Sequence, residues 1–189
     1  LGNWSFDEGS GDSSAEGSVG ISTATLGSTT GADANDPTWT SGMFGQALQF
    51  DGVDDYVEIA DAPGIDISGP EFSASLWIKP DRGPGTEDMF FMKGDRQGTG
   101  NVNYYLSWKD TGKMTWAFKS DGGFEYLDID VTLPTVDEWN HIAVVFNQPT
   151  VSIYINGTEY TSTSNDGTGG TSMNKPLVAN DDPLWIGAG

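Results

Sequence analysis

Several acidic side chains in the first third of the sequence stand at spacings that suit a hard cation. Asp7 follows a short apolar segment, and Asp51 and Asp54 flank Gly52. Calcium takes about six to eight oxygen ligands from carboxylates and backbone carbonyls, and glycine lets the backbone approach the ion closely. The pattern predicts a structural Ca2+ site with Asp7, Asp51 and Asp54 as side-chain ligands. The alternative is a hairpin turn over residues 50–55 whose aspartates bond to nearby backbone N–H groups.

Aromatic side chains that alternate with polar ones are candidates for sugar binding. Trp77 shares one face of a predicted strand with Lys79, while Leu76 and Ile78 face the other way. Tyr105 alternates with polar residues in the same manner. We therefore predict that Trp77, Tyr105 and Lys79 bind a ligand. The alternative for Trp77 is that it packs under a loop at the edge of a sheet.

A carboxylate-rich strand raises the question of glycoside hydrolysis. Period-2 geometry puts Asp128 and Asp130 on one face and Glu125 on the other. A retaining pair needs its carboxyl groups about 5–5.5 Å apart, which Asp128 and Asp130 could reach. Thr132, however, occupies the position of the next alternating acid. We interpret these acids as solvated strand residues, and His141, the only histidine, as a hydrogen-bonded structural residue. No catalytic residues are predicted.

Composition excludes several classes of function. The 189 residues include 28 acidic and 8 basic side chains, for a net charge of −20. This charge opposes electrostatic binding of nucleic acid and of anionic membranes. The absence of cysteine excludes disulfides, thiolate zinc sites and a cysteine nucleophile. Apolar runs such as residues 142–146 are too short to span a bilayer, so membrane insertion is not expected.

Short alternating runs between Gly, Asp, Asn and Pro clusters predict an all-β protein. Asn156–Gly157 is typical of a type I′ hairpin turn. Residues 9–37 are predicted to be loop with one or two short edge strands. We expect a two-sheet antiparallel β-sandwich of jelly-roll type that forms a single domain over residues 1–189. The main predicted strands are Ala47–Phe50, Tyr56–Ile59, Phe72–Lys79, Met89–Lys93, Tyr104–Lys109, Met114–Lys119, Phe124–Val131, Asn140–Phe146, Val151–Ile155 and Leu184–Ile186.

Motifs along almost the whole chain carry a family resemblance. They stand in the family's order and are Trp4–Gly11, Gly42–Gly52, Asp54–Glu58, Phe72–Pro80, Trp139–Phe146, Ile153–Gly157 and Leu184–Gly187. The sequence resembles laminin-G-like domains of the concanavalin A-like lectin/glucanase superfamily. The resemblance implies a concanavalin A-like jelly roll and one structural cation near the N-terminal segment. It also implies that a histidine at the position of His141 is a feature of the fold.

The resemblance further implies a strand after Leu184–Gly187, and the sequence ends at Gly189. A sheet edge without its neighbouring strand exposes unpaired backbone groups. We therefore expect the domain to lack its final strand and another polypeptide segment to fill the edge beside Leu184–Ile186. That segment would be further residues of the same chain or another subunit of an assembly.

The leading functional hypothesis is a non-catalytic extracellular binding module that recognises glycan or a glycosylated surface. Its partner would be a polysaccharide or glycoprotein, and a structural calcium would stabilise it. The second hypothesis is a structural or assembly protein, either a viral decoration or fibre domain or a cell-surface lattice subunit. The third is a glycoside-active enzyme. The expected location is extracellular, at a cell surface or on a virion.

Overall fold

A computed structural model describes residues 2–15, 22–95, 102–162 and 173–187. These ranges contain β-strands and no helix, and all strand pairings are antiparallel. This confirms the predicted fold class. No helix in the described ranges is long and apolar enough to cross a membrane. In chain order the strands are β1 (Ser13–Ser14), β2 (Ala24–Leu26), β3 (Thr38–Ser41), β4 (Gln46–Gln49), β5 (Val57–Ile59), β6 (Glu71–Ile78), β7 (Asp88–Gly94), β8 (Val102–Lys109), β9 (Lys113–Ser120), β10 (Gly123–Asp130), β11 (Asn140–Asn147), β12 (Thr150–Ile155), β13 (Thr158–Ser162) and β14 (Leu184–Ile186).

The described residues divide into two compact units. The central unit contains residues 67–90 and the described part of 102–179. The terminal unit contains the described residues up to 66, from 91 to 95 and from 180 onward. The prediction that residues 1–189 form one domain stays a prediction.

The central unit is a two-sheet antiparallel sandwich. One sheet has the strand order β13-β12-β11-β6, and the other contains β8, β9 and β10 side by side. Aromatic rings interlock between them: the ring centroids of Phe72 and Trp116 lie 4.7 Å apart, and those of Phe118 and Phe146 lie 4.9 Å apart. Burial of each such ring contributes about 1.5–3 kcal/mol. The two layers are therefore held together by a shared aromatic core.

The hairpin predicted at Asn156–Gly157 is confirmed. Both residues have positive φ, 51° and 82°, as a type I′ turn requires. The turn joins β12 to β13, which was not among the predicted strands. Its sequence, Thr158–Ser162, is mostly polar and lacks a clear apolar alternation, because β13 lies at the edge of its sheet.

The terminal unit corrects the prediction about the C-terminal edge. Residues 184–186 of β14 pair with Val57–Ile59 of β5 on one side and with residues 91–93 of β7 on the other. β14 is thus an interior strand, and the prediction of an open edge beside it is wrong. Backbone pairing on both sides satisfies the donors and acceptors that the prediction left for another polypeptide segment.

The first 66 residues also contain strands that the sequence indicated only partly. β1 and β2 confirm the short strands expected within residues 9–37, although β2 lies between β1 and β5 rather than at an edge. β4 pairs with β3, Thr38–Ser41, which was not predicted. β3 has only four residues and three of them are polar, so the sequence shows no apolar alternation there.

A fully buried lysine holds acidic side chains of the terminal unit together. The side chain of Lys93 has no exposed surface. Its Nζ lies 2.6 Å from Asp61 Oδ1 and 3.1 Å from Asp66 Oδ1, and it also donates to the carbonyl oxygen of Asp182. A buried ammonium is tolerated only when it is paired in this way. The hydrogen bond from Lys93, with its positive charge, lowers the pKa of Asp61.

We expect Lys93→Met to destabilise the protein strongly, since it removes the cation that balances two carboxylates. The expected loss is about 3 kcal/mol, the lower end for a broken buried pair, because the carboxylates are partly hydrated. Urea unfolding of wild type, Lys93→Met and Lys119→Met measures it, with the exposed Lys119 as the matched control.

The pH dependence supplies an independent check. The pKa of Asp61 is lower in the folded state, so its stabilisation is present above its unfolded pKa of about 3.9 and disappears as the pH falls through the folded value. Wild type should therefore lose more stability than Lys93→Met on acidification below about pH 4. Equal acid sensitivity of the two proteins would contradict this role of Lys93.

Candidate functional site

The outward face of β8, β9 and β10 combines aromatic and polar side chains. Its rows follow from the strand register: Ala117 lies between Tyr105 and Tyr126, and Phe124 lies opposite Lys119. Because their strand neighbours point into the aromatic core, these side chains must point outward. We call this surface the polar–aromatic face; its members are Tyr105, Ser107, Lys109, Thr115, Ala117, Phe124, Tyr126 and Asp128, with Glu87 alongside.

Three rings form the aromatic part of this face. The centroid of Phe124 lies 6.1 Å from that of Tyr105 and 6.5 Å from that of Tyr126, with interplanar angles of 25° in both pairs. Ala117 is fully buried between its two tyrosine neighbours, so the rings close over the middle strand. Phe124 remains 43% exposed. The result is a platform of nearly parallel rings whose most exposed member is Phe124.

Hydrogen bonds and ion pairs hold the polar part of the face. Asp128 Oδ1 accepts hydrogen bonds from Thr115 Oγ1 at 2.5 Å and from Lys109 Nζ at 3.1 Å. Glu87 Oε1 accepts one from Ser107 Oγ at 2.6 Å and lies 3.8 Å from Lys109 Nζ. One ammonium group therefore balances two carboxylates, and the polar groups are oriented before any ligand arrives.

The tyrosine between these two parts keeps its proton. Burial raises the pKa of the Tyr105 hydroxyl, and the negative charges of Glu87 and Asp128 raise it further. The hydroxyl stays neutral throughout the physiological pH range. It is therefore available as a hydrogen-bond donor.

The acids of β10 are placed partly as predicted. Glu125 faces away from Asp128, is buried, and accepts a hydrogen bond from Ser120 Oγ at 3.1 Å. The side chain of Asp130 is 69% exposed, as expected, and pairs with Lys113 at 2.8 Å. The side chain of Asp128 is only 14% exposed, so the prediction of a solvated strand residue is wrong for Asp128 and for the buried Glu125. Its bonds with neighbouring strands draw it into the face.

The three residues predicted to bind a ligand do not form one site. Tyr105 lies on the polar–aromatic face, whereas Trp77 lies on the outward face of the four-stranded sheet and Lys79 is exposed just beyond β6. Trp77 is 43% exposed, and its ring centroid lies 5.1 Å from that of His141. The two outward faces lie on opposite sides of the aromatic core. Trp77 and Tyr105 therefore cannot contact the same small ligand.

Phe124 and Tyr126 were missed as ligand-binding candidates. The signal was present, because Phe124, Tyr126 and Asp128 alternate with Glu125 and other inward-facing residues.

The structure brings two of the three predicted metal ligands together. Carboxylate oxygens of Asp51, Asp54 and Asp55 lie within 4.8 Å of one another. Asp7 lies outside this group, and its Oδ1 accepts a hydrogen bond from the backbone N–H of Gln46 at 2.9 Å. Asp51 Oδ1 accepts from the N–H of Val53 at 2.8 Å, the local bond expected of the alternative turn interpretation.

Negative charge is concentrated at the turn that contains Asp51, Asp54 and Asp55. Burial raises the pKa of Asp55, and the charges of Asp51, Asp54 and Asp36 act in the same direction. Three oxygens this close together suit a hard divalent cation. A second group, Asp61, Asp66 and Asp181, has a comparable spacing, but the ammonium of Lys93 already pairs with two of its members.

Comparison with known proteins identifies the family. The laminin-G profile described as the concanavalin A-like lectin/glucanases superfamily matches residues 51–189, and the chain belongs to this superfamily. No protein of curated function matches the sequence significantly.

Solved structures resemble this chain at low sequence identity. Domain 4 of AbnA, an extracellular arabinanase of Geobacillus stearothermophilus solved with arabinotriose, is 20% identical with a TM-score of 0.58, over 98% of this chain and 90% of that one. The carbohydrate-binding module CBM66 of Bacillus subtilis is 14% identical with a TM-score of 0.45, over 89% of both chains. The arabinanase domain thus supports the same all-β sandwich.

The small side chain of Ala117 should be essential for the ring platform. In Ala117→Leu the added atoms would have to lie where the neighbouring rings now close, so we expect a loss of about 1–3 kcal/mol and splayed rings. Urea unfolding and the near-UV circular dichroism of the tyrosines measure the two effects. Ala143→Leu, on the outward face of β11, is the matched control. If both variants behave alike, the rings do not depend on a small residue at position 117.

Proposed function

We propose that this protein is a non-catalytic, extracellular glycan-binding module and that the polar–aromatic face is its binding surface. The observation that carries the proposal is the ring platform of Tyr105, Phe124 and Tyr126 directly beside the polar groups Asp128 and Lys109. Membership of a superfamily of lectins and glucanases supports it. The arabinanase domain of similar fold comes from an extracellular enzyme, which supports the location.

The chemistry of the face suits a sugar. The weakly positive C–H groups of a pyranose or furanose ring pack on the negative face of an aromatic ring such as Phe124. Sugar hydroxyls would donate to Glu87 or Asp128 and accept from Lys109 or the neutral Tyr105 hydroxyl. Because the internal bonds of the face already orient these groups, binding orders few side chains.

Net charge narrows the class of glycan. A chain with a net charge of −20 repels polyanions at long range, whereas an uncharged polysaccharide experiences no such repulsion. The proposed partner is therefore a neutral polysaccharide or the neutral glycan of a glycoprotein. The arabinanase domain of similar fold was solved with arabinotriose, which makes arabino-oligosaccharides the first ligands to test.

The pairing of the carboxylates supports binding rather than hydrolysis. Asp128 accepts hydrogen bonds from both Lys109 and Thr115, and Asp130 pairs with Lys113. Both carboxylates are therefore already engaged by lysine side chains of their own sheet rather than left as a separate acid and nucleophile.

Loss of the exposed ring should weaken glycan binding selectively. We expect Phe124→Ala to bind soluble arabinan at least about tenfold more weakly than wild type, because a stacking partner is lost while the core is untouched. Isothermal titration calorimetry and affinity electrophoresis on a panel of neutral polysaccharides measure the change. Phe44→Ala removes another exposed phenylalanine and is the matched control. The proposal fails if no polysaccharide of the panel binds wild type, or if the two variants bind equally well.

The calcium site predicted from the sequence is part of the proposal. The carboxylates of Asp51, Asp54 and Asp55 have a spacing that would hold the ion, and a cation there would relieve their mutual repulsion. The role is structural, since the cation would stabilise the turn after β4.

Removal of divalent metal should lower the melting temperature. An ion that binds only the native state stabilises it increasingly as its concentration exceeds the dissociation constant, so chelation should destabilise and added CaCl2 should restore the protein. NaCl of equal ionic strength should not. Asp54→Asn should lose the calcium response, whereas Asp110→Asn in the exposed β8–β9 turn should keep it. An unchanged melting temperature after exhaustive chelation, together with no metal by elemental analysis, would refute the site.

A further inference from the structure

A cleft at one side of the central unit lies next to the polar–aromatic face. Its volume is about 220 Å3, and it opens to solvent. Pockets that enclose a whole small-molecule ligand have volumes of about 300–1,000 Å3, so this cleft suits one unit of a longer chain. Its lining residues come from β10 and β13 and are Asp128, Ile129, Asp130, Tyr160, Thr161 and Ser162.

The two walls of the cleft are the last strands of their sheets. β10 ends one sheet and β13 ends the four-stranded sheet. Tyr160 pairs with Ile153, whose side chain is fully buried, so the tyrosine belongs to the inward row of its sheet. Because β13 is an edge strand, the ring of Tyr160 closes the side of the core and remains partly exposed in the cleft.

The cleft and the polar–aromatic face share residues of one strand. Phe124, Tyr126, Asp128 and Asp130 follow one another on the outward row of β10, and the last two also line the cleft. From Phe124 to Asp130 an extended strand covers about 20 Å. A ligand lying along this row would therefore run from the ring platform, past both carboxylates, and into the cleft.

We infer that the binding surface continues along β10 into this cleft, where Tyr160 and Asp130 form a second subsite for a neutral linear oligosaccharide. The inference rests on the proposed function of the polar–aromatic face. The ring of Tyr160 offers a second stacking surface, and the exposed carboxylate of Asp130 accepts sugar hydroxyls. Asp128 and Asp130 are both among the lining residues, so the negative charge beside the subsite disfavours uronic acids and other anionic sugars.

A length series of ligands tests the second subsite. Linear arabino-oligosaccharides of two to six units are titrated calorimetrically into wild type and into Tyr160→Ala. Wild-type affinity should continue to rise beyond three units. In Tyr160→Ala the affinity for the hexamer should fall roughly three- to tenfold, the range typical of one aromatic contact, while the trimer should bind as in wild type.

Further variants separate loss of the subsite from loss of the fold. Asp130→Asn changes an exposed side chain and should weaken the hexamer without weakening the trimer. Tyr160→Phe keeps the ring and should retain most of the hexamer affinity. Tyr154→Ala alters the outward face of the same four-stranded sheet and is the matched control, for which all lengths should bind as in wild type.

The outcomes distinguish this inference from the proposed function. If Phe124→Ala abolishes binding while Tyr160→Ala and Asp130→Asn leave every length unchanged, the polar–aromatic face stands and the second subsite is refuted. If wild-type affinity stops rising at three units, the second subsite is likewise refuted. If wild type binds no length at all, both the inference and arabinan as the ligand of the proposed function are overturned.

Discussion

Interlocking aromatic rings between the two sheets of the central unit determine how its other side chains are arranged. Trp116 and Phe118 point inward from β9 to meet Phe72 and Phe146, so Ala117 between them must point outward. The same alternation turns the remaining outward residues of β8 and β10 toward one surface. A slip of one residue in any of these strands would exchange its rows and bury polar side chains in the aromatic core. The candidate site is thus a consequence of the core on the other side of the same strands.

Charge balance is the second constraint on this acidic chain. Two of its eight basic residues, Lys93 and Lys109, pair with carboxylates that lie partly out of water. In the terminal unit a buried ammonium does what a metal ion does elsewhere: it allows carboxylates to lie close together. Among the described residues, no lysine pairs with Asp51, Asp54 or Asp55. Within the same ranges, only backbone N–H groups donate hydrogen bonds to these carboxylates. This contrast explains why the carboxylates of Asp61 and Asp66 are already charge-balanced by Lys93, whereas the group at Asp51 is the better candidate for calcium.

Sequence patterns correctly predicted the features that depend only on neighbouring residues, namely the main strands and the hairpin turn. Alternation located β8 to β12 within about two residues, and positive φ at Asn156 and Gly157 confirmed the predicted turn. Tyr105 was also placed on the correct outward row. Strands such as β3 and β13 were missed because polar edge strands carry little apolar alternation. Lys93 was missed because its partners lie far away in the sequence, at Asp61 and Asp182.

The sequence by itself determined the fold class, the superfamily and which side of each main strand faces the core, because side-chain direction in a strand depends only on the parity of the position. Only the tertiary structure decided which outward residues meet. Trp77 and Tyr105 have the same local pattern, yet packing of the sheets puts them on opposite outer surfaces. The same packing brings Asp130 and Tyr160 into one cleft, although thirty positions separate them in the chain. Distances between remote residues arise from the packing of whole sheets, which no short stretch of sequence specifies.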